Sequence, residues 1–318
     1  MAFKTISERF IKSLSVPEYR TIIAGILFLI CTQALHSIGV QENSAFKNKA
    51  WNHNVQKPCI YAPEDSAIFA ELIEKALEFN WYSLGKSDVI EKVATHFLGF
   101  PYKAGTLEHD GKETLIINLR EFDCTTFIEH VMALSLNIMN KEVTFEDYCQ
   151  QLKKIRYRGG IIDGYPSRLH YFSDWLHDNE KKDLIKIIHI PGHSVILEKQ
   201  INFMSTHPGN YNKLGNADFL KEIKTQEEEI IQRTFTYIPQ EKISVATSEI
   251  RSGDLIAITT NIAGLDIMHT GLSIRINNQM HLIHASSRSN KVIISGDNLH
   301  DEVNKNKLMS GIMVARIK

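Results

Sequence analysis

The hydrophobic period of this 318-residue chain changes once, near residue 190, and that change limits the folds open to it. Before it, apolar residues recur at steps of three and four, the pattern of helices that bury one face. Residues 64–79 place Ile68, Leu72, Ala76 and Phe79 on one stripe, and residues 87–98 do the same with Val89, Val93 and Phe97. A third helix is expected at about 144–155, closed by Gly159-Gly160. After the change come short β-rich runs separated by turns: 193–199, 235–238, 254–260, 269–276, 280–285, 292–294 and 311–317. Helices first and strands afterwards predict an α+β fold with an antiparallel sheet, since βαβ units would interleave the two periods. Residues 200–232 read as a polar insertion, helical near 217–231. No composition break asks for a second domain, so 37–318 is expected to be one.

The amino terminus is different in kind. Lys4, Arg9, Lys12 and Arg20 precede an uncharged run over 21–35, and Thr32-Gln33-Ala34 offers a small-residue cleavage site. A basic flank before a short apolar stretch marks a secretory signal. The stretch falls short of the about 20 residues a spanning helix needs, with an uncleaved anchor as the alternative. Residues 1–36 are therefore read as signal peptide or N-terminal anchor, and the protein as exported. A net charge of -1 gives no reason to expect nucleic acid as a partner, and membrane contact is expected only through the N-terminal segment. If Cys31 leaves with the signal, Cys59, Cys124 and Cys149 remain. An odd count in an oxidising compartment leaves at least one thiol unpaired or shared between chains. One arrangement joins Cys59 to Cys149 and spares Cys124. With no CxxC the usual sulfur-rich zinc site is unsupported, and neither metal nor cofactor is expected.

Cys124 stands where a helix should begin. Asp123 is a good N-cap, and Phe127, Ile128, Val131, Leu134 and Ile138 follow at helical spacing. The first turn offers a cysteine free N–H groups and the positive end of the helix dipole, both favouring thiolate. The competing reading is a buried cysteine packed as a small hydrophobe. A nucleophile needs a base, and a hairpin at 268–286 carries two candidates. Asn277-Asn278 suits a two-residue turn with both residues at positive φ, which pairs Ile276 with Gln279 and by extension Gly271 with His284. In that register His269 and His284 lie diagonally on one face, and a slip by one residue would separate them. Gly271 is expected to leave room for the His284 ring. A further dense segment spans 163–175: Ser167 could cap a helix on which Arg168, Tyr171 and Trp175 share a face. Arginine among aromatics suits a carboxylated ligand; a partly buried helix is the alternative.

Pro101-Tyr102-x-x-Gly105, Asp123-Cys124-Thr125-Thr126, His269-Thr270-Gly271 and Ile283-His284-Ala285, in that order, resemble the NlpC/P60 superfamily of papain-like cell-wall amidases and peptidases. The runs around Cys124 and Trp175 look more closely like the DUF1460 family, N-acetylmuramoyl-L-alanine amidase-like, over roughly residues 85–318. The resemblance implies a papain-like fold with the nucleophile at the start of a helix packed on the sheet. It implies hydrolysis of the amide between N-acetylmuramic acid and L-alanine in peptidoglycan or its fragments, in the periplasm. By position Cys124 becomes nucleophile, His269 base and His284 orienting residue. Tyr102, Asp123, Thr125, Arg168, His170 and Trp175 become substrate contacts, with Arg168 for a stem-peptide carboxylate. Thr125-Thr126 departs from the Ser-Gly that often follows the cysteine in the wider superfamily. Two other outcomes stay open: an endopeptidase cutting D-glutamate to diaminopimelate, and a non-catalytic wall-binding module.

Overall fold

Pro63 at a first helical position and Asp65 two residues on, whose carboxylate accepts the Ala62 N–H at 2.8 Å, start the first helix of a computed structural model that describes residues 59–318. Strand β1 (Cys59–Ile60) precedes that helix, α1 (Pro63–Glu78), and α2 (Lys86–His96) follows. Strand β2 (Leu115–Ile116) pairs in parallel with β1. Then come α3 (Cys124–Asn140), α4 (Phe145–Arg156), α5 (Phe172–Lys181), β3 (Ile185–Ile187) and β4 (Val195–Ile196). The polar insertion holds α6 (Phe203–Thr206) and α7 (Ala217–Ile231). Strand β5 (Thr236–Pro239) and helix α8 (Ile243–Ala246) lead into β6 (Leu255–Thr260), β7 (Ile267–Ile276), β8 (Gln279–Ser286) and β9 (Lys291–Ile294). Helix α9 (Leu299–Asn304) and β10 (Met309–Ile317) complete the set. Residues 1–36, expected to be signal or anchor, and Cys31 within them lie outside the described residues.

The main sheet runs β4-β5-β10-β6-β7-β8-β9, with β3 also on β10, and its pairings are antiparallel. The α+β expectation with an antiparallel sheet therefore holds. Strand β10 sits in the middle, between β5 and β6. The three-residue β3 was not foreseen, because Ile185-Lys186-Ile187 is too short to show a period. One face of the sheet packs into the larger core with α1 to α5. The other face places Ile256, Ile258, Leu282, Ile312 and Val314 against Ile243 of α8 and Leu299 and Val303 of α9. Helix α3 is buried on nearly every side from Thr126 to Ile138, as a central helix must be. Among the described residues no helix is long and apolar enough to cross a membrane.

One local expectation differs from what is found. Ser167 caps no long helix: its hydroxyl donates to Gly164 O at 2.6 Å and closes a tight turn through Tyr165–Ser167. Pro166 and the left-handed Gly164 (φ 72) hold that turn, so Arg168 lies in extended chain and α5 starts only at Phe172. The polar insertion does carry the helix expected near 217–231, as α7, and it is tied to the rest of the fold. Asn202 and Phe203 donate their N–H groups to Gly264 O at 3.0 Å each. Gly264 has φ +76, and a Cβ there would stand 2.6 Å from Asn202 Oδ1, so this join requires glycine.

Candidate active site

Asp123 and Thr126 fix the start of α3 reciprocally: Asp123 Oδ1 accepts the Thr126 N–H at 2.7 Å, and Thr126 Oγ1 accepts the Asp123 N–H at 2.9 Å. This is a capping box, and it holds Cys124 at the first helical position. The approach to it is also anchored. The wholly buried Asp65 accepts from Leu119 N at 2.8 Å and Arg120 Nε at 3.0 Å. Phe122 packs against Phe97 and Phe127, and a bridge joins it to Tyr102. On the sheet side, the Thr270 hydroxyl donates to Cys124 O at 2.8 Å.

The hairpin register is the expected one. Ile276 opposes Gln279, Leu272 opposes Ile283, and Asn277 and Asn278 have φ of 47° and 64°. His269 Nε2 and His284 Nδ1 meet at 2.6 Å, with the rings edge to face at 84°. Gly271 is tightly enclosed. A Cβ there would strike Leu282 at 2.6 Å and the Ile283 carbonyl at 3.0 Å. Gly271 thus makes room for Leu282 and the neighbouring backbone.

The resting thiol is not the thiolate that the helix dipole suggested. Cys124 keeps some surface open to solvent, yet the protein packed around its sulfur pushes its pKa up to about 11, with Asp123 adding to the rise. The Thr270 N–H, the Thr270 hydroxyl and the Thr125 hydroxyl pull the other way and are outweighed. Desolvation disfavours the charged form more than the first-turn donors favour it. Burial, then the neighbouring His284, lowers His269 to about 3, and burial lowers His284 to about 4. At neutral pH Cys124 is therefore a neutral thiol, and His269 and His284 are neutral imidazoles. Among the described residues Cys124 Sγ makes no hydrogen bond to His269; the His269 bond is the one to His284.

These values set an expected result. Alkylation requires thiolate, so modification of Cys124 by iodoacetamide should rise about tenfold per pH unit from pH 7 towards 10. Mass spectrometry of the Cys124 peptide follows the rate. A plateau reached below pH 7 would show a thiolate–imidazolium pair already formed.

The foreseen substrate wall separates into two groups. Asp123, Thr125 and Tyr102 do gather at Cys124, and Tyr102 has its pKa raised by burial and then by the cysteine. Arg168 and Trp175 do not offer the contacts expected of them. Arg168 is 6% exposed, with Nη2 2.9 Å from Glu108, Nε 3.5 Å from Glu113 and its guanidinium over Tyr165. Trp175 is wholly buried and stacks on Phe172 at 4.8 Å. His170 Nε2 lies 2.9 Å from Tyr165 O, and burial lowers its pKa to about 3. Glutamates some sixty positions away neutralise Arg168, so local sequence could not reveal its partner. Thr270 and Asp65 were missed. Adjacency to His269 on the strand was the one available signal for Thr270.

A cavity of about 290 Å³ opens beside the imidazole pair, lined by His269, His284, Ser286, Arg288 and Glu302 among others. Among the described residues no cluster of His, Cys, Asp or Glu suits a metal ion.

A family model described as AmiA-like, N-acetylmuramoyl-L-alanine amidase-like, matches residues 92–312, a span that includes Cys124, His269 and His284. The chain belongs to this AmiA-like family. A crystal structure of an N-acetylmuramoyl-L-alanine amidase from Bacteroides uniformis is similar, at 36% identity and a TM-score of 0.70 over 73% of this chain and 99% of that one. A Bacteroides fragilis protein, provisionally named a xylanase, is 38% identical with a TM-score of 0.67, covering 71% of this chain and 99% of its own. A Legionella pneumophila protein of the DUF1460 family shares the fold at 21% identity and a TM-score of 0.62, over 80% and 95% of the two chains. None of the curated proteins matches the chain. The AmiA-like family thus accounts for the resemblance read from the Cys124 and Trp175 runs.

Proposed function

We propose that this AmiA-like protein is a cysteine amidase that cleaves the amide between N-acetylmuramic acid and L-alanine in peptidoglycan or its fragments. The observation that carries this reading is the 2.6 Å bond between His269 and His284 on a hairpin whose Thr270 also holds the Cys124 carbonyl. With His269 donating from Nε2 to His284 Nδ1, its Nδ1 lone pair is left to take a proton. This tautomer is an assignment from the hydrogen-bond pattern. His284 then orients the ring and steadies the imidazolium, as the third member of a triad does.

Thr270 turns to Cys124 while His269, next to it on β7, lines with His284 the cavity walled by Glu302 of α9, so the reaction requires His269 to swing to the sulfur when substrate binds. The Cys124 sulfur attacks the lactyl carbonyl while His269 takes the thiol proton. His269 returns that proton to the L-alanine nitrogen as the C–N bond breaks, leaving a thioester on Cys124. Water, deprotonated by His269, hydrolyses the thioester and restores the thiol. N–H groups at the start of α3 meet the oxyanion, and the threonine donors offset charge on sulfur. This arrangement fits a papain-like, NlpC/P60-type site. A wall substrate also fits export through the 1–36 segment, to a periplasmic location, cleaved or anchored.

Chromatography and mass spectrometry of a defined N-acetylmuramoyl-peptide digest test the bond. The expected products are free N-acetylmuramic acid and a peptide beginning with L-alanine. A released L-alanyl-D-glutamate fragment would instead make the protein an endopeptidase. Hydrolysis of xylan with no action on muropeptides would overturn the reading altogether.

A further inference from the structure

We propose that Cys59 and Cys149 form a disulfide that latches the β1–β2 ribbon to α4. The two sulfurs lie 3.3 Å apart, ninety positions apart in sequence, and both residues are buried. A disulfide brings sulfurs to about 2.05 Å, so closing the bond asks for a movement of roughly 1 Å. Small side-chain rotations supply that. The surroundings favour this partner over any other. Tyr61, Phe69, Phe145 and Tyr148 form a connected set of ring contacts around the pair, while Cys124 stands at the other end of the segment this latch secures.

The latch would hold more than two residues. Cys59 pairs with Leu115, the Ile117 N–H donates to Ile60 O at 2.9 Å, and Asp65 then holds Leu119 and Arg120. The chain reaches Asp123 and Cys124 within four residues of that anchor. A bond from Cys59 to α4 therefore ties β1 and α4 to the segment that delivers the nucleophile. The inference does not depend on which bond Cys124 cleaves.

The oxidant is a small-molecule or protein disulfide. One cysteine thiolate attacks it, forming a mixed disulfide and releasing one thiol. The second cysteine attacks the mixed disulfide, forming the Cys59–Cys149 bond and releasing the other thiol. Two cysteine thiols are oxidised, one oxidant disulfide is reduced, and the two protons leave on the released thiols. Because both sulfurs are covered, exchange requires the short β1 strand to open first.

Refolding the full chain from urea in a glutathione redox buffer removes that access barrier. Alkylation, non-reducing digestion and mass spectrometry then map the cysteines. The expected map joins the Cys59 and Cys149 peptides, two hydrogen masses lighter than their sum, and leaves Cys124 alkylated. The oxidised protein should melt roughly 5–10 °C above the reduced one, as closing a long loop predicts. Cys149→Ser should remove both the cross-link and the redox-dependent shift. Alkylation of both Cys59 and Cys149, a bond from either to another cysteine, or equal melting of the oxidised and reduced forms would overturn the proposal. The wild-type peptide map decides even if the variant does not fold.

Discussion

Replacing Cys124 by alanine should lower muropeptide turnover by about three orders of magnitude or more, because no other group in the site can form the acyl intermediate. The fold should survive the change. Cys124 is partly exposed and stands outside the buried core, while the Asp123–Thr126 cap that starts α3 does not use its side chain. Cys124→Ser should fall nearly as far. A hydroxyl in the same desolvated place, with a neutral imidazole as its base, is a weaker nucleophile than sulfur. Single-turnover rates, read beside melting temperatures, separate lost chemistry from lost structure. If the alanine variant kept more than a tenth of wild-type turnover at unchanged stability, sulfur would not be the nucleophile.

The largest expected effect on stability lies beneath the same helix. Glu129 of α3 and Arg156 of α4 are 2% and 1% exposed, joined by a 2.7 Å bond from Arg156 Nε. Arg156 Nη1 also donates to Ile116 O at 2.5 Å. Removing one partner of a buried pair strands the other charge, so Arg156→Ala should cost about 3–5 kcal/mol in urea unfolding. Arg156→Lys should recover little, since one ammonium replaces a planar fork that reaches two acceptors in fixed directions.

The deficit of the alanine variant should depend on pH. Burial already raises the Glu129 pKa, and Arg156 is the main group opposing that rise. Without the arginine the folded-state pKa climbs further, so folding takes up a proton on Glu129 over a wider range of pH. A raised folded pKa gives stability that is full below the unfolded value and is lost as pH rises through the folded one. The deficit should therefore be smaller at pH 5 than at pH 8. A loss below 1 kcal/mol at both values would mean the pair contributes little net stability.

Features written in local pattern were legible, and those set by distant packing were not. The helix start at Cys124, the Asn277-Asn278 turn and the His269–His284 diagonal follow from capping chemistry, positive φ and strand alternation, each contained in a few consecutive residues. The state of the thiol was misjudged. The helix dipole is a local property, whereas desolvation of the sulfur comes from protein that the fold packs around it. Arg168 and Trp175 were misplaced for the same reason. Arginine among aromatics suggests recognition, but Glu108 and Glu113 approach Arg168 from another loop, and Trp175 is wholly buried in the core. Two or three residues, as in β1 and β3, carry no period at all, and these strands exist because a neighbour offers them an edge.

The central place of β10 bears on how the molecule comes into being. Residues 309–317 separate β5 from β6 and also carry β3, so earlier parts of the sheet meet only through a strand supplied late. A chain emerging from its amino terminus would hold its helices and the β6–β9 meander while lacking the strand that joins them to β3–β5. Pairings of such long sequence separation form slowly, and the two cores close only once residue 317 is available. The central place of β10 also makes loss of even this single strand a break through the centre of the sheet rather than at its rim.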